Sequence, residues 1–199
     1  MKYSELRKRL KKRIFSKQDL RLGGGKVFDY QLSLWQKQQY IIKLKNGVYL
    51  FADEASRVSP EEVAFHVYSP SYISLEKALS IYGLIPEMVY SVTSVTPRTT
   101  RSFKNRFGNF IYKHIKPSLF FGYREIKEDQ SFYLLAEPEK ALLDYLYLHK
   151  IYAGEGWEEL RLNQKLIKKT FRPRVFSKYL KMFDNRRIKK LCRECLGIK

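Results

Sequence analysis

The sequence predicts an α+β protein: an N-terminal winged helix-turn-helix over residues 1–53, then a mixed α/β C-terminal domain over residues 54–199 that ends in helices. Two observations carry this prediction. Helical patterns flank a glycine run at residues 23–25, and an Asn46-Gly47 pair then separates two short apolar strands. Helix, turn, helix and a two-stranded hairpin in this order predict a winged helix-turn-helix, whose second helix enters the major groove of DNA.

The first two predicted helices are short. Residues 3–13 form the first, which has an apolar inner stripe and a cationic outer face. Residues 17–22 form the second, which Ser16 can cap. Asp19 lies three residues after the cap, where its carboxylate can accept a hydrogen bond from the free N–H of Ser16.

Gly23-Gly24-Gly25-Lys26 has part of the composition of a phosphate-binding loop. Such a loop requires a preceding strand, the complete G-x-x-x-x-G-K-[ST] spacing and a following helix. Here a helix precedes the glycines and Val27 follows the lysine. We therefore interpret this run as a flexible turn between two helices.

The third predicted helix is the candidate recognition helix. It covers residues 29–38 and buries a stripe of Phe28, Leu32 and Trp35. Side chains off this stripe are neutral donors and acceptors with one cation, which are the types that read base edges. An ordinary solvated helix face has the same composition. The off-stripe residues are Tyr30, Gln31, Ser33, Gln36 and Lys37.

Residues 41–45 and 48–51 are predicted to pair as a hairpin. Asn-Gly favours a type I′ turn, because this turn requires positive φ at both central residues. In the resulting register, Lys43 and Lys45 share the outer face, where they either meet phosphates or protect an exposed edge strand from aggregation. The predicted pairs are Lys45–Val48, Leu44–Tyr49, Lys43–Leu50 and Ile42–Phe51.

The C-terminal domain contains both helical and strand patterns. Helices are predicted at residues 60–68 after the cap Ser59, at 74–83 and at 137–148. Residues 97–106 are predicted to form a basic loop, and residues 157–196 a helical tail that is broken near Pro173. The predicted strands cover residues 89–96, 108–115, 118–126 and 132–136.

The net charge of +19 is concentrated at the two ends of the chain. Residues 1–13 carry a net +6 and residues 161–199 a net +12. A localised positive field attracts polyanions, and beside a helix-turn-helix it favours nucleic acid over a membrane surface or a generally basic protein. No apolar run reaches the ~18 residues of a membrane span, and no apolar run follows the basic N-terminus as in a secretory signal.

The residues with catalytic or metal-binding potential form no recognisable site. His66, His114 and His149 are scattered on or near apolar segments. Cys192 and Cys195 have a zinc-like spacing, but a structural zinc requires four ligands and the chain has no second pair. We therefore expect no enzymatic activity and no cofactor or metal. Two cysteines are too few for a disulfide framework, which fits a reducing cytoplasm.

The predicted DNA contacts combine the candidate recognition helix, the hairpin and the basic loop. Phosphate contacts would set position and salt dependence, while contacts to base edges would set sequence choice. The C-terminal basic helices would add cations, so one copy could hold DNA from two sides. The predicted contact residues are Ser16, Lys17, Lys26, Tyr30, Gln31, Ser33, Gln36, Lys37, Lys43, Lys45, Asn46, Arg98, Arg101 and Lys104.

Several segments, taken together and in order, resemble the AbiEi family of antitoxins from type IV (abortive-infection) toxin–antitoxin systems. The resemblance covers about residues 15–147 and includes Leu32, Trp35, Gly47 and Tyr49 of the N-terminal domain. The glycine run at residues 23–25 departs from the family by giving a looser link. The segments are PSYISLEKALSIYGLIPE, VTSVTPRTTRSF, GNFIYKHI, FFGY and AEPEKALLDYLY.

This resemblance implies a cytoplasmic bacterial DNA-binding regulator that represses its own operon by binding inverted repeats, as a cooperatively binding monomer or a weak dimer. It also implies a second partner, a cognate nucleotidyltransferase toxin that the C-terminal domain antagonises. We expect Tyr72, Ser74, Glu76 and Thr96 to hold the fold rather than contact a partner. The alternatives are a stand-alone regulator, a toxin-neutralising protein with vestigial DNA binding, and an RNA-binding protein whose aromatic residues stack on bases.

Overall fold

The computed structural model describes residues 1–22, 26–128, 131–149 and 160–196, and the chain folds as a mixed α+β protein. The glycine run at residues 23–25 and the predicted helix start at residues 157–159 lie outside the described residues. The N-terminal elements are α1 (Tyr3–Arg9), β1 (Ile14–Ser16), α2 (Lys17–Leu22), α3 (Asp29–Lys37), β2 (Ile41–Lys45) and β3 (Val48–Phe51).

The N-terminal helices and strands enclose a small hydrophobic cluster. Its sheet has the order β1-β3-β2, with antiparallel pairing throughout. The predicted bounds of α2 and of both hairpin strands are confirmed, and α3 ends one residue before its predicted end. The cluster contains Leu6, Phe15, Leu20, Leu32, Trp35, Ile41, Tyr49 and Phe51.

Strand β1 was not predicted, and the prediction of one helix over residues 3–13 is wrong at its C-terminal end. The helix stops at Arg9, and Ile14 then pairs with Leu50 of β3. Successive side chains of a strand point to opposite faces, so Ile14 enters the large core of the molecule while Phe15 enters the N-terminal cluster.

The hairpin register differs from the prediction at every pair except Lys45–Val48. An irregularity between Lys43 and Lys45 inserts Leu44 as an extra residue, so that Lys43 pairs with Tyr49. Leu44 is buried in the large core. The remaining observed pairs are Ile41–Phe51 and Ile42–Leu50.

The second sheet has six strands in the order β6-β7-β5-β4-β9-β8. The pairs β4–β9 and β5–β7 are parallel, and the other pairs are antiparallel. The elements of this part are α4 (Pro60–Val67), β4 (Tyr72–Ile73), α5 (Leu75–Ile81), β5 (Val92–Thr96), β6 (Arg101–Asn105), β7 (Gly108–His114), β8 (Tyr123–Glu128), β9 (Ser131–Ala136), α6 (Pro138–Leu148), α7 (Gln164–Thr170), α8 (Pro173–Phe183) and α9 (Arg186–Leu196).

Three predicted segments of this sheet need correction, and strand β4 was not predicted. The predicted strand at residues 89–96 begins only at Val92. The predicted basic loop at residues 97–106 contains β6, whose register runs from Arg101–Tyr112 to Asn105–Gly108. The predicted strand at residues 118–126 begins only at Tyr123, because Pro117–Leu119 forms a short 3-10 turn. Proline supplies no N–H for a strand ladder at that point.

A buried polar network joins α6 to the centre of the six-stranded sheet. Lys140 and Asp144 form an ion pair whose side chains are both fully buried. The hydroxyls of Tyr72 and Ser74 each donate to Asp144 Oδ2 at 2.8 Å, and Lys140 Nζ donates to the Tyr72 hydroxyl at 2.7 Å. Thr96 donates to the carbonyl of Pro70 at 2.7 Å. Tyr72, Ser74 and Thr96 therefore form hydrogen bonds inside the protein, which agrees with the expectation that they hold the fold.

The N-terminal sheet packs directly on the rest of the molecule. Val48 and Leu50 of β3 lie in the large core, although they were predicted on the outer face of the hairpin. The side-chain amide of Asn105, at the end of β6, donates to the carbonyl of Leu44 at 3.1 Å. The buried guanidinium of Arg13 lies 3.6 Å from Glu62 of α4. Hydrophobic and hydrogen-bonding contacts therefore connect β2 and β3 to the rest of the molecule, and an ionic contact connects Arg13, just before β1, to α4.

Among the described residues, we find no helix that has both the length and the apolar character needed to cross a membrane.

Candidate nucleic-acid interface

Helix α3 presents a continuous exposed stripe. Its inner side buries Leu32 and Trp35, whereas Phe28, which was predicted on the same buried stripe, is 55 % exposed. The side chains at spacing i, i+3, i+4 and i+7 from residue 30 face solvent. Tyr30 is 68 % exposed and Leu34 is 47 % exposed. Ser33 and Lys37 complete the exposed stripe. A phenol, a hydroxyl, an isobutyl group and an ammonium can together form hydrogen bonds, apolar contacts and ionic contacts with base pairs.

Gln31 and Gln36 lie off this stripe and are partly buried, and the protein already uses their amides. The exposed Ser33 hydroxyl also donates to the carbonyl of Asp29 at 3.1 Å, so it would meet a base as an acceptor. The Gln31 side chain accepts a hydrogen bond from the N–H of Phe28 at 3.0 Å and donates to the carbonyl of Met1 at 2.8 Å. The Gln36 amide donates to the carbonyl of Leu32 at 3.0 Å. Gln31 therefore fixes the start of α3 against the N-terminus of the chain.

The start of α2 is held by the predicted cap. The Ser16 hydroxyl accepts from the N–H of Asp19 at 3.2 Å, and the Asp19 carboxylate accepts from the N–H of Ser16 at 2.8 Å. This carboxylate also pairs with Lys12 at 2.9 Å. Despite desolvation, which acts in the opposite direction, the hydrogen bonds from Lys12 and Ser16 leave the pKa of Asp19 below its ordinary value.

A cationic cleft lies between α2 and α3. Lys17, Arg21 and Lys26 contribute to its lining. The ammonium of Lys17 is 2.6 Å from the carboxylate of Asp29, and this hydrogen bond raises the pKa of Lys17. Lys26 is exposed. An anion entering this cleft would compete with Asp29 for Lys17 and would meet Lys26 directly.

The hairpin presents Lys43 and Asn46 to solvent. Gly47 has a φ of +79°, which favours glycine, and its carbonyl accepts a hydrogen bond from the N–H of Lys17 at 2.9 Å. The turn is therefore attached to the start of α2. Asn46 does not have a positive φ, so the predicted type I′ turn is wrong, although the two strands end where the Asn-Gly pair predicted. Within the part of the chain that the structure describes, Lys43 forms no ion pair, so its charge is available to a ligand.

Lys45 faces the interior of the molecule. Its ammonium lies 5.7 Å from the ring centroid of Tyr68 and 5.4 Å from that of Phe103. Burial, with a smaller contribution from the charge of Arg98, lowers the pKa of Lys45. The guanidinium of Arg98 lies 4.8 Å from the same Tyr68 ring. Lys45 and Arg98, which were both predicted to contact DNA, therefore both lie over the ring of Tyr68.

Strand β6 places its two predicted contact residues on opposite faces. Arg101 pairs with Tyr112 and Lys104 with Asn109, and both cations are exposed. Arg98 also donates to the carbonyl of Ser69 at 2.9 Å, which anchors it beside α4.

A concave surface lies between α3, β2 and the β6–β7 turn. Gln36, Gln39, Lys43 and Arg106 contribute to its lining. Arg106 was not among the predicted contacts, because nothing in the sequence places the β6–β7 turn beside the hairpin. Leu34 was also missed, although its spacing from Tyr30 on a predicted helix was sufficient to mark it as exposed. The Arg106 guanidinium lies 5.2 Å from the Phe107 ring, which orients it.

Comparison with protein-family models gives no match for this chain, and a search of curated proteins likewise gives no significant match.

Proposed function

We propose that this chain is a cytoplasmic DNA-binding regulator whose N-terminal part is a winged helix-turn-helix. In this proposal α2 and α3 form the helix-turn-helix, β2 and β3 form the wing, and α3 enters the major groove. Tyr30 and Ser33 contact base edges, Leu34 packs on a thymine methyl group, and Lys37 and Lys43 contact phosphates. Lys26, Arg106 and Asn46 lie around this surface and extend the contacts to flanking phosphates.

The exposed stripe of α3 is the observation that carries the proposal. A helix of a folded protein that presents Tyr30 at 68 % exposure and Leu34 at 47 % exposure leaves apolar surface in water. The cations Lys37 and Lys43 border this surface. Apolar surface bordered by cations is complementary to a DNA groove, which has base edges at its floor and phosphates at its rims.

The resemblance to AbiEi antitoxins supports a more specific role. The chain would bind inverted repeats upstream of its own operon, repress that operon and antagonise a nucleotidyltransferase toxin. Cooperative binding of monomers, or a weak dimer, would match the two halves of such a repeat. The compartment follows from this proposal and from the small number of cysteines.

Hydroxyl-radical footprinting on the duplex upstream of the gene tests this function. The proposal expects protected segments on an inverted repeat, spaced by about one helical turn or a multiple of it. Y30A/K37A should abolish the protection, whereas Y90A/K127A should retain it. The control replaces another exposed tyrosine and lysine, which lie outside the proposed interface. Protection without an inverted repeat, or equal loss in both variants, would contradict the proposal.

Antagonism of the toxin by direct contact is a second candidate function. The loop between α5 and β5 exposes large apolar side chains, with Met88 at 79 % and Tyr90 at 83 % exposure. Methionine and tyrosine are enriched in protein interfaces. A pull-down of the nucleotidyltransferase encoded beside this gene, with M88A/Y90A as the variant, tests this candidate. Equal capture of the wild type and the variant would exclude this surface.

A further inference from the structure

Helix α8 carries an unpartnered row of cations. Arg174, Lys178 and Lys181 lie at spacing i, i+4 and i+7, so they follow one face over about 10 Å. All three are exposed. Within the described residues, none of the three forms an ion pair or a hydrogen bond through its side chain. A shallow groove runs along this face, lined by the three cations with Pro173, Ser177 and Met182.

The fold fixes this row on the outside of the molecule. Phe176 and Phe183 bury the opposite face of α8, and the Lys140 ammonium lies 4.9 Å from the Phe183 ring centroid. Arg172, the N-cap of α8, donates three hydrogen bonds to the carboxylate of Glu139 at 2.7–3.1 Å. The apolar face is thus largely occupied, and Met182 is the one large apolar side chain that is exposed on α8, a helix described in full, which is too little apolar surface to insert into a membrane.

The chemistry of the row favours a polyphosphate over a protein. Met182, at 45 % exposure, is the one large apolar residue that is exposed among the described residues of α7, α8 and α9. Protein interfaces have an apolar core with a polar rim, and this surface has no such core. Over residues 161–199, 14 Lys and Arg stand against two acids, so the surrounding field is positive.

The row also favours a double helix over a single strand. Binding of single strands depends on exposed aromatic rings on which bases stack. The tyrosine of α8, Tyr179, is partly buried, donates its hydroxyl to Glu137 and packs on the Phe121 ring at 5.1 Å. It therefore cannot serve as a stacking platform.

The row lies at the opposite edge of the six-stranded sheet from α3 and the hairpin. Tyr179 packs against Phe121 and Gly122, immediately before the edge strand β8. Asn105 and Phe103, on the edge strand β6, contact Leu44 and Lys45 of the hairpin. Five strand spacings of about 4.8 Å separate the two edges, which is roughly 24 Å and more than the width of a DNA groove.

We propose that Arg174, Lys178 and Lys181 form a second, sequence-independent surface that binds the phosphate backbone of a double helix. One molecule then holds two duplex segments, one at α3 and one at α8. The bridging of two segments rests on the proposed function, whereas binding at α8 does not.

The salt dependence of affinity for a random-sequence DNA duplex tests the surface itself. Each lost phosphate contact reduces the slope of log affinity against log salt by about 0.9, so R174Q/K178Q/K181Q should reduce it by about 2.7. K113Q/K116Q/K127Q removes the same number of exposed cations elsewhere and should leave the slope unchanged. R174K/K178R/K181R should retain the wild-type slope. An unchanged slope in the first variant, or an equal reduction in the control, would overturn the proposal.

Two further experiments test which nucleic acid binds at α8 and whether one molecule bridges two duplexes. R174Q/K178Q/K181Q should lose affinity for an RNA duplex as it does for the DNA duplex. If the wild type bound a single-stranded oligonucleotide as tightly as a duplex, the assignment to a double helix would be overturned. Capture of a labelled duplex by a bead-bound duplex reports bridging, and this capture should fall at least tenfold in the same variant. Capture should also be lost in Y30A/K37A, because bridging requires α3 as well. Absence of capture by the wild type, with the α8 slope effect intact, would show that the proposed function at α3 fails while binding at α8 stands.

Discussion

Lys43 and Lys45 stand two residues apart on β2 but point to opposite faces of the hairpin, because Leu44 between them is an extra residue in the strand. Lys43 pairs with Tyr49 and is exposed, whereas Lys45 pairs with Val48 and packs its ammonium over the rings of Tyr68 and Phe103. A regular strand would give both lysines the same environment. The bulge gives them different environments, one facing solvent and one facing aromatic rings of the core.

Lys43→Ala should weaken binding to operator DNA and to random DNA by the same factor, because a phosphate contact carries no sequence information. It should also reduce the slope of log affinity against log salt by about 0.9, because one phosphate contact is lost. Lys45→Ala should leave that slope unchanged, since its ammonium lies over aromatic rings. Fluorescence anisotropy titrations over a range of salt concentrations measure both effects. A slope change in Lys45→Ala as large as that in Lys43→Ala would refute this assignment.

Tyr30→Ala and Gln31→Ala should separate base contacts from support of the helix. Tyr30→Ala should reduce the preference for operator over random DNA by about tenfold, since one good base contact is worth ~1–3 kcal/mol of discrimination. Gln31→Ala should instead lower the free energy of unfolding by about 1 kcal/mol through the lost bonds to Phe28 and Met1. Urea unfolding and competition titrations measure the two quantities. An unchanged stability of Gln31→Ala with a large loss of preference would reverse their roles.

Asp144→Ala should be among the most destabilising single changes in the chain. Burial raises the pKa of Asp144 and lowers the pKa of Lys140, so each charged form depends on the other group and on the hydroxyls of Tyr72 and Ser74. Removing one partner of a buried pair costs about 3–5 kcal/mol in free energy of unfolding.

The matched control for Asp144→Ala removes both charges. K140M/D144L should recover more than half of the lost stability, because no uncompensated charge remains in the core. Urea unfolding of the three proteins provides the comparison. A double variant as unstable as Asp144→Ala would show that the hydrogen bonds to Tyr72 and Ser74, rather than the stranded lysine, determine the cost.

The ion pair between His149 and Glu76 should make stability depend on pH. The two side chains approach to 3.0 Å, and the hydrogen bond that His149 donates to the Glu76 carboxylate raises the pKa of His149 above 6.5. The stability contributed by His149 is therefore fully present below pH 6.5 and is lost as the pH rises through the raised value. The same pair leaves the pKa of Glu76 below 4.5 despite desolvation, so its contribution is present above pH 4.5 and is lost in stronger acid.

Another histidine acts in the opposite direction over part of this range. Burial lowers the pKa of His66 to about 4, so the unfolded chain binds a proton more readily and stability falls as the pH drops below 6.5. The comparison is therefore made between the wild type and His149→Asn. Their difference in free energy of unfolding, measured by urea titration, should be largest near pH 6 and should shrink toward pH 9. A difference independent of pH would refute the ionic role of His149.

Local signals predicted the local elements. Ser16 and Asp19 marked the start of α2, and Asn46-Gly47 fixed the ends of β2 and β3, because capping and turn chemistry act within a few residues. Strand β1 was missed because it is defined by its pairing with the distant strand β3. Strand β6 pairs with the neighbouring predicted strand β7, but its polar and cationic residues indicated a loop. The Leu44 bulge was also missed, because it places Leu44 in the large core, most of whose other residues are distant in the sequence.

The same distinction applies to the candidate interface. The exposed stripe of α3 follows from helical periodicity, so Tyr30, Ser33 and Lys37 could be named from the sequence. The position of Arg106 beside Lys43 depends on how β6 meets the hairpin. The positions of Lys45 and Arg98 depend on their contacts with Tyr68, the C-cap residue of α4. Tertiary contacts of this kind leave no periodic pattern.

The ratio of affinities for the upstream duplex and for a shuffled duplex of the same composition tests the central claim most directly. The wild type should prefer the upstream duplex by at least a thousandfold, as specific DNA-binding proteins do. Y30A/K37A should reduce that ratio by at least tenfold, whereas Y90A/K127A should preserve it. A wild-type ratio near one, at a salt concentration where both duplexes bind, would contradict sequence recognition by α3.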